Sequence, residues 1–130
     1  MAFKIHKVDD GHNLPFEYLP ASAIIPKVGM ALTVSGGKVT TASGTTAPTY
    51  ICMVEKDAAV EAGTVIPVGR VGKEVIWETE ATADMAAVTV GAKVTIDSTG
   101  MAVTATTTSG VAEVVAKDGD AVGSKVYVRF

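Results

Sequence analysis

The chain has 130 residues, a net charge of -3 and a pI of about 5.3, which fits one acidic domain. No basic stripe is present to track a phosphate backbone, and no segment approaches the ~20 apolar residues of a membrane span. A single cysteine, Cys52, excludes an intramolecular disulfide and suits cytosolic synthesis.

Twenty Val, 16 Thr and 7 Ile stand against only 3 Leu. β-Branched residues lose side-chain freedom in helices and pack well on pleated sheets, so the composition predicts an all-β fold. The opening M-A-F-K-I-H-K-V-D-D lacks the apolar run of a signal peptide.

Residues 1–22 read differently from the rest. Phe3, Ile5 and Val8 alternate with Lys4, His6 and Lys7, a short strand pattern. The stretch D-D-G-H-N-L-P-F-E-Y-L-P follows, where Pro15 and Pro20 hold their neighbours extended. Two readings fit: a surface arm wrapped on its own domain, or an extended arm whose apolar residues anchor on a neighbour. The second makes Phe3, Ile5, Phe16, Tyr18 and Leu19 the candidate contact residues. Residues 23–130 then form a single β domain.

From there one phrase recurs. An apolar or small residue and a glycine introduce a strand at Val28-Gly29, Ala62-Gly63, Val90-Gly91 and Val122-Gly123. The third and fifth residues after each glycine are apolar: Leu32/Val34, Ile66/Val68, Val94/Ile96 and Val126/Val128. A two-residue period places each pair on one face of a strand. The fullest copy, Val88–Val103, reads as a hairpin turning at Asp97-Ser98-Thr99-Gly100.

Between the copies, Gly36-Gly37 predicts a two-residue hairpin turn joining 30–34 to 38–41. Residues 42–49 read as a small-residue loop. The run Y-I-C-M-V at 50–54 reads as a strand buried on both faces. Pro67 lacks a donor, which predicts an edge strand there. Residues 73–79 read as the next strand, and 81–87 as a short helix capped by Thr82. The threonine run 104–109 reads as a solvated strand or loop. A last hairpin is predicted to pair 111–116 with 125–130.

Groups with chemical potential are few. His6 and His12 have no common zinc spacing, and Asp9, Asp10 and His12 offer a cation only a loose set. An apolar context marks Cys52 as an inert buried thiol. K-D-G-D at 117–120 is a fragment of a calcium loop without the later acidic ligands, so a turn explains it better. Glu74, Glu78 and Glu80 share one strand face, which reads as solvated charge, while Trp77 has the opposite parity and reads as core or a subunit contact. No catalytic, metal or cofactor residue is expected.

The C-terminal half, from Gly91-Ala92-Lys93-Val94-Thr95-Ile96-Asp97 to Gly123-Ser124-Lys125-Val126-Tyr127-Val128-Arg129-Phe130, resembles head decoration (capsid-stabilising) proteins of tailed bacteriophages. The G-M-A-L strand and the P-T-Y-I-C-M-V-E run extend the likeness over residues 25–130. The resemblance implies a small β-barrel or β-sandwich that forms a homotrimer on the capsid exterior. There it would bridge subunits of the major capsid protein and hold the head against internal DNA pressure, without enzymatic activity. An alternative from the residues is a glycan-binding or adhesion module of a phage head or tail fibre, with Thr-rich loops supplying hydroxyls. An enzyme is the third reading, and it would need two convergent titratable groups in a pocket.

Overall fold

The computed structural model describes residues 1–9 and 16–130. Ten strands form two five-stranded sheets, and no helix occurs among the described residues. Sheet A runs β1 (Lys4–Val8), β7 (Val75–Glu80), β10 (Lys125–Arg129), β9 (Ala112–Lys117) and β8 (Lys93–Val94). Sheet B runs β2 (Phe16–Pro20), β6 (Val65–Arg70), β5 (Tyr50–Cys52), β3 (Ala31–Ser35) and β4 (Lys38–Thr41). All neighbouring strands within them are antiparallel.

Two cores hold these sheets. The larger lies between them and takes Val75, Trp77, Val94, Val114, Val126 and Val128 from sheet A, with Ala31 and Ile51 from sheet B. The smaller lies on the other side of sheet B, around Leu32, Val39, Cys52, Ile66 and Val68. Sheet B curls over it until Ala21 bridges Val39 and the Ser22 N–H donates to the Val39 carbonyl at 2.9 Å. The result is a β-sandwich whose second sheet approaches a barrel. Alternation in β5 feeds both cores, since Ile51 points into the first and Cys52 into the second. The expected burial of that strand on both faces follows.

The recurring phrase is a recurring turn. In each copy the residue after the glycine donates its N–H three residues back: Met30 to Lys27, Thr64 to Glu61, Ala92 to Thr89 and Ser124 to Ala121, each at 3.0 Å. Gly29, Gly63, Gly91 and Gly123 have φ of 84°, 94°, 97° and 87°. Positive φ at the third position defines a type II turn, and glycine adopts it without a Cβ clash. Each glycine N–H also donates to a distant carbonyl: Cys52, Ala21, Val114 and Ala81 respectively, at 2.7–2.8 Å. A strand begins two residues later in every copy. Of the eight paired apolar positions, only Val34 is exposed, beside the Gly36-Gly37 turn that ends its hairpin.

Three expectations are corrected. The extended arm expected over residues 1–22 is not found in its described residues, where β1 and β2 are paired edge strands, one in each sheet. Pro67 lies in β6, which is flanked by β2 and β5. Its carbonyl accepts the Met53 N–H at 3.1 Å, so its nitrogen also faces Met53, just past the end of β5, where the missing N–H leaves the pair with one bond. Residues 81–87 form turns instead of a helix. The Asp84 carboxylate takes the Ala86 N–H at 2.7 Å, and Met85 is buried with its N–H donating to the Asp120 carbonyl at 2.7 Å. Those bonds tie the segment to the β9–β10 loop and remove the partners a helical turn needs.

The other hairpins match. Asp97 Oδ1 accepts from Thr99 Oγ1 and from the N–H groups of Met101 and Ala102, which locks the turn at Gly100. Gly100 has φ of 73° there. The final hairpin pairs β9 with β10, with one irregularity at Tyr127/Val128.

Candidate functional site

The five candidate contact residues separate into three environments. Phe3 is 2% exposed and packs edge-on against Phe130, with ring centroids 5.3 Å apart. Its N–H donates to the Gly29 carbonyl at 2.9 Å, so it belongs to the core of its own domain. Leu19 pairs opposite Ile66 and packs half-buried on the smaller core. Ile5, Phe16 and Tyr18 remain at the surface, at 45%, 62% and 74% exposure.

Register explains why Phe16 and Tyr18 share one face. Phe16 pairs with Gly69, and Gly69 with Ile51, so they form a row across the face of sheet B that meets sheet A. Tyr18 pairs with Pro67 and Pro20 with Val65 on the same face. Sheet A covers the row at Ile51 and ends at β1. Beyond β1 the face continues as a shelf of Phe16, Tyr18, Pro67 and Val65, the last 58% exposed.

Where shelf and β1 meet, a recess of about 180 Å³ opens between the sheets, lined by Phe3, Lys4, Ile5, Val28, Gly29, Ile51, Met53 and Trp77. Lys4 is the one charged residue of that lining. Trp77 is buried, and its indole Nε1 finds no acceptor among the described residues. On the opposite face of the β2–β6 pair, Glu17 receives both Arg70 Nη2 at 2.8 Å and Arg70 Nε at 3.2 Å, which clamps β2 in place.

Sequence reasoning missed Val28, Met53 and Val65. Val65 was legible as an apolar residue of outward parity in β6. Val28 was legible as the exposed second residue of a type II turn; Val90 and Val122 hold the same place and are also exposed, at 62% and 67%. Met53 carried no such signal, because it follows the end of β5.

The remaining polar groups serve the fold. Lys117 Nζ donates to Asp120 Oδ1 at 2.6 Å and to the Met85 carbonyl at 2.7 Å, so the K-D-G-D stretch pins the turns at 81–87. Asp118 accepts the Tyr127 hydroxyl at 3.0 Å, a bond that raises the Tyr127 pKa. Glu78 pairs with Lys125 at 3.2 Å, and His6 packs on Tyr127 with rings 4.3 Å apart. Glu78, Lys125, Tyr127 and His6 share the outer face of sheet A, which is a charged, solvated surface. Cys52 is buried and donates to the Val54 carbonyl at 3.2 Å; desolvation pushes its thiol pKa up. Among the described residues, no three His, Cys, Asp or Glu side chains come together to hold a metal ion. Asp10 and His12 lie outside the described residues.

Neither a protein-family profile nor a curated protein sequence matches the chain.

Proposed function

We propose that the chain is a structural, non-enzymatic virion protein that binds the outside of a phage capsid as a homotrimer and stabilises the head. The major capsid protein is its partner, and the shelf with Ile5, Phe16 and Tyr18 is the surface that meets it. The observation that carries this reading is the shelf itself. Phe16, Tyr18 and Val65 share one face of β2 and β6 and remain open to solvent, as does Ile5 at the edge of the facing sheet. A contiguous apolar patch of this kind marks interaction surfaces more often than a scattered exposed residue does. The likeness of residues 25–130 to head decoration proteins supplies the partner. Many copies on an assembled shell stabilise it by mass action, because they bind the assembled state alone.

The test is co-sedimentation with DNA-free shells. Deleting residues 1–20 would also remove Phe3 and two strands, so the substitutions Phe16→Ser and Tyr18→Ser are the cleaner probe. Loss of sedimentation with an unchanged melting temperature supports the reading; binding at the wild-type level by the double variant ends it. Light scattering at micromolar concentration tests the trimer, and a monomer there contradicts it. The 74% exposure of Tyr18 favours one second reading, stacking on a host glycan. Glycan-array binding that is lost in Tyr18→Ser would support that reading in place of the first.

A further inference from the structure

We propose that the shelf receives an extended polypeptide segment of the partner, laid along the free edge of β1 as a sixth strand of sheet A. The inference rests on the reading that the shelf is the contact surface, and it names how that contact is made. Sheet A stops one or two strands short of the sheet it covers. At about 4.8 Å per strand, the uncovered face of β6 and β2 is about 10 Å wide, the width of one or two strands. Ile5 shows the same deficit from above. It pairs with Trp77, on the inward side of β1, yet it is 45% exposed, and among the described residues no strand lies beyond it.

Area separates a strand from a second copy resting on the shelf. Phe16 and Tyr18 at 62% and 74% exposure leave roughly 200–340 Å² open, taking 150–250 Å² for each aromatic. A stable protein–protein interface needs about 800 Å² from each partner. Adding Val65 at 58% and Ile5 at 45% still leaves the shelf short of that, whereas an added strand gains main-chain hydrogen bonds along β1 as well. The bulge in β1 falls between Ile5 and Lys7. The ring of the bulged His6 packs on Tyr127, on the far side of sheet A from the shelf. The recess at the β1 end takes one apolar side chain of the incoming strand; Lys4 borders it but stands opposite Glu78, on the outer side of β1. The fitting segment is therefore apolar at alternate positions.

The test uses the full chain and a blocked peptide of alternating valine and threonine with two terminal glutamates, at about 1 mM. Its control carries proline at two central positions. The expected result is slowing of amide exchange in residues 4–8 by at least about fivefold, with a shift in the emission of Trp77, the sole tryptophan. Both effects should vanish with the proline peptide and in Phe16→Ser/Tyr18→Ser. Unchanged exchange with the first peptide, or equal protection by the proline peptide, overturns the strand proposal. If that happens while shells still co-sediment, the capsid reading stands without it. Protection by the first peptide in a protein that ignores shells keeps the strand site and removes the capsid reading.

Discussion

The two surfaces that meet at β1 have opposite character. On the outer face of sheet A, Lys125 pairs with Glu78, Tyr127 donates to Asp118, and His6 packs on Tyr127. Polar and charged side chains dominate there, and several of them pair within the chain. On the shelf, Phe16, Tyr18 and Val65 stand open with the larger core ending beside them. The charged face is one that water satisfies as it stands. The shelf exposes apolar surface that folding has not used, and this is where a partner gains most by covering it.

Aromatic truncation should separate folding from binding most widely. Phe3→Ala removes a buried ring that packs on Phe130, and should cost about 3–5 kcal/mol in denaturant unfolding. Phe16→Ala removes an exposed ring and should stay within about 0.5 kcal/mol. Equal costs would mean that the shelf is part of the core.

The turn glycines give the next largest effect. A Cβ on Gly29 would lie 2.6 Å from Ala2 Cβ and 2.8 Å from the Phe3 carbonyl oxygen, whereas one on Gly123 meets nothing within 4 Å. Gly123→Ala should therefore cost only backbone strain, about 1–3 kcal/mol. Gly29→Ala should cost more and loosen Phe3 and the start of β1, read as faster amide exchange in residues 3–5. If the two variants melt alike, the N-terminal strand does not depend on this close approach.

Cys52 tests the smaller core. Burial raises its thiol pKa, so it should resist alkylation at neutral pH until the protein unfolds. The sign follows from linkage. Any stability tied to the neutral buried thiol is present below the unfolded-state pKa and is lost as pH rises through the folded value. Rapid labelling in the native state would contradict the burial.

The smallest effect belongs to the charged face. Tyr127 is held above the ordinary tyrosine range, chiefly by its bond to Asp118. Asp118→Asn should lower its titration midpoint, followed by tyrosinate absorbance, without altering shell binding.

Much of the fold was legible because a few residue types have one physical use. Paired glycines at 36 and 37, with φ of 59° and 77°, admit only a tight hairpin. The four turn glycines announce strands two residues on, and the parity of Trp77 against Glu78 gives core and surface directly. Legibility failed where pairing between distant segments decides. Nothing local in residues 1–22 shows that β1 meets β7 and β2 meets β6, some 50 to 70 residues away. The apolar residues of that stretch therefore looked alike, although Phe3 is core, Leu19 is half-buried, and only Ile5, Phe16 and Tyr18 are surface. Pro67 misled for the same reason, since its tolerance depends on where another strand stops.

The most direct measurement compares two double variants in co-sedimentation with DNA-free shells: Phe16→Ser/Tyr18→Ser on the shelf, and Lys125→Ser/Tyr127→Ser on the charged face. The account predicts at least about tenfold weaker binding, or about 1.4 kcal/mol, for the first and wild-type binding for the second. Equal retention by both variants, or loss confined to the charged-face variant, would contradict it.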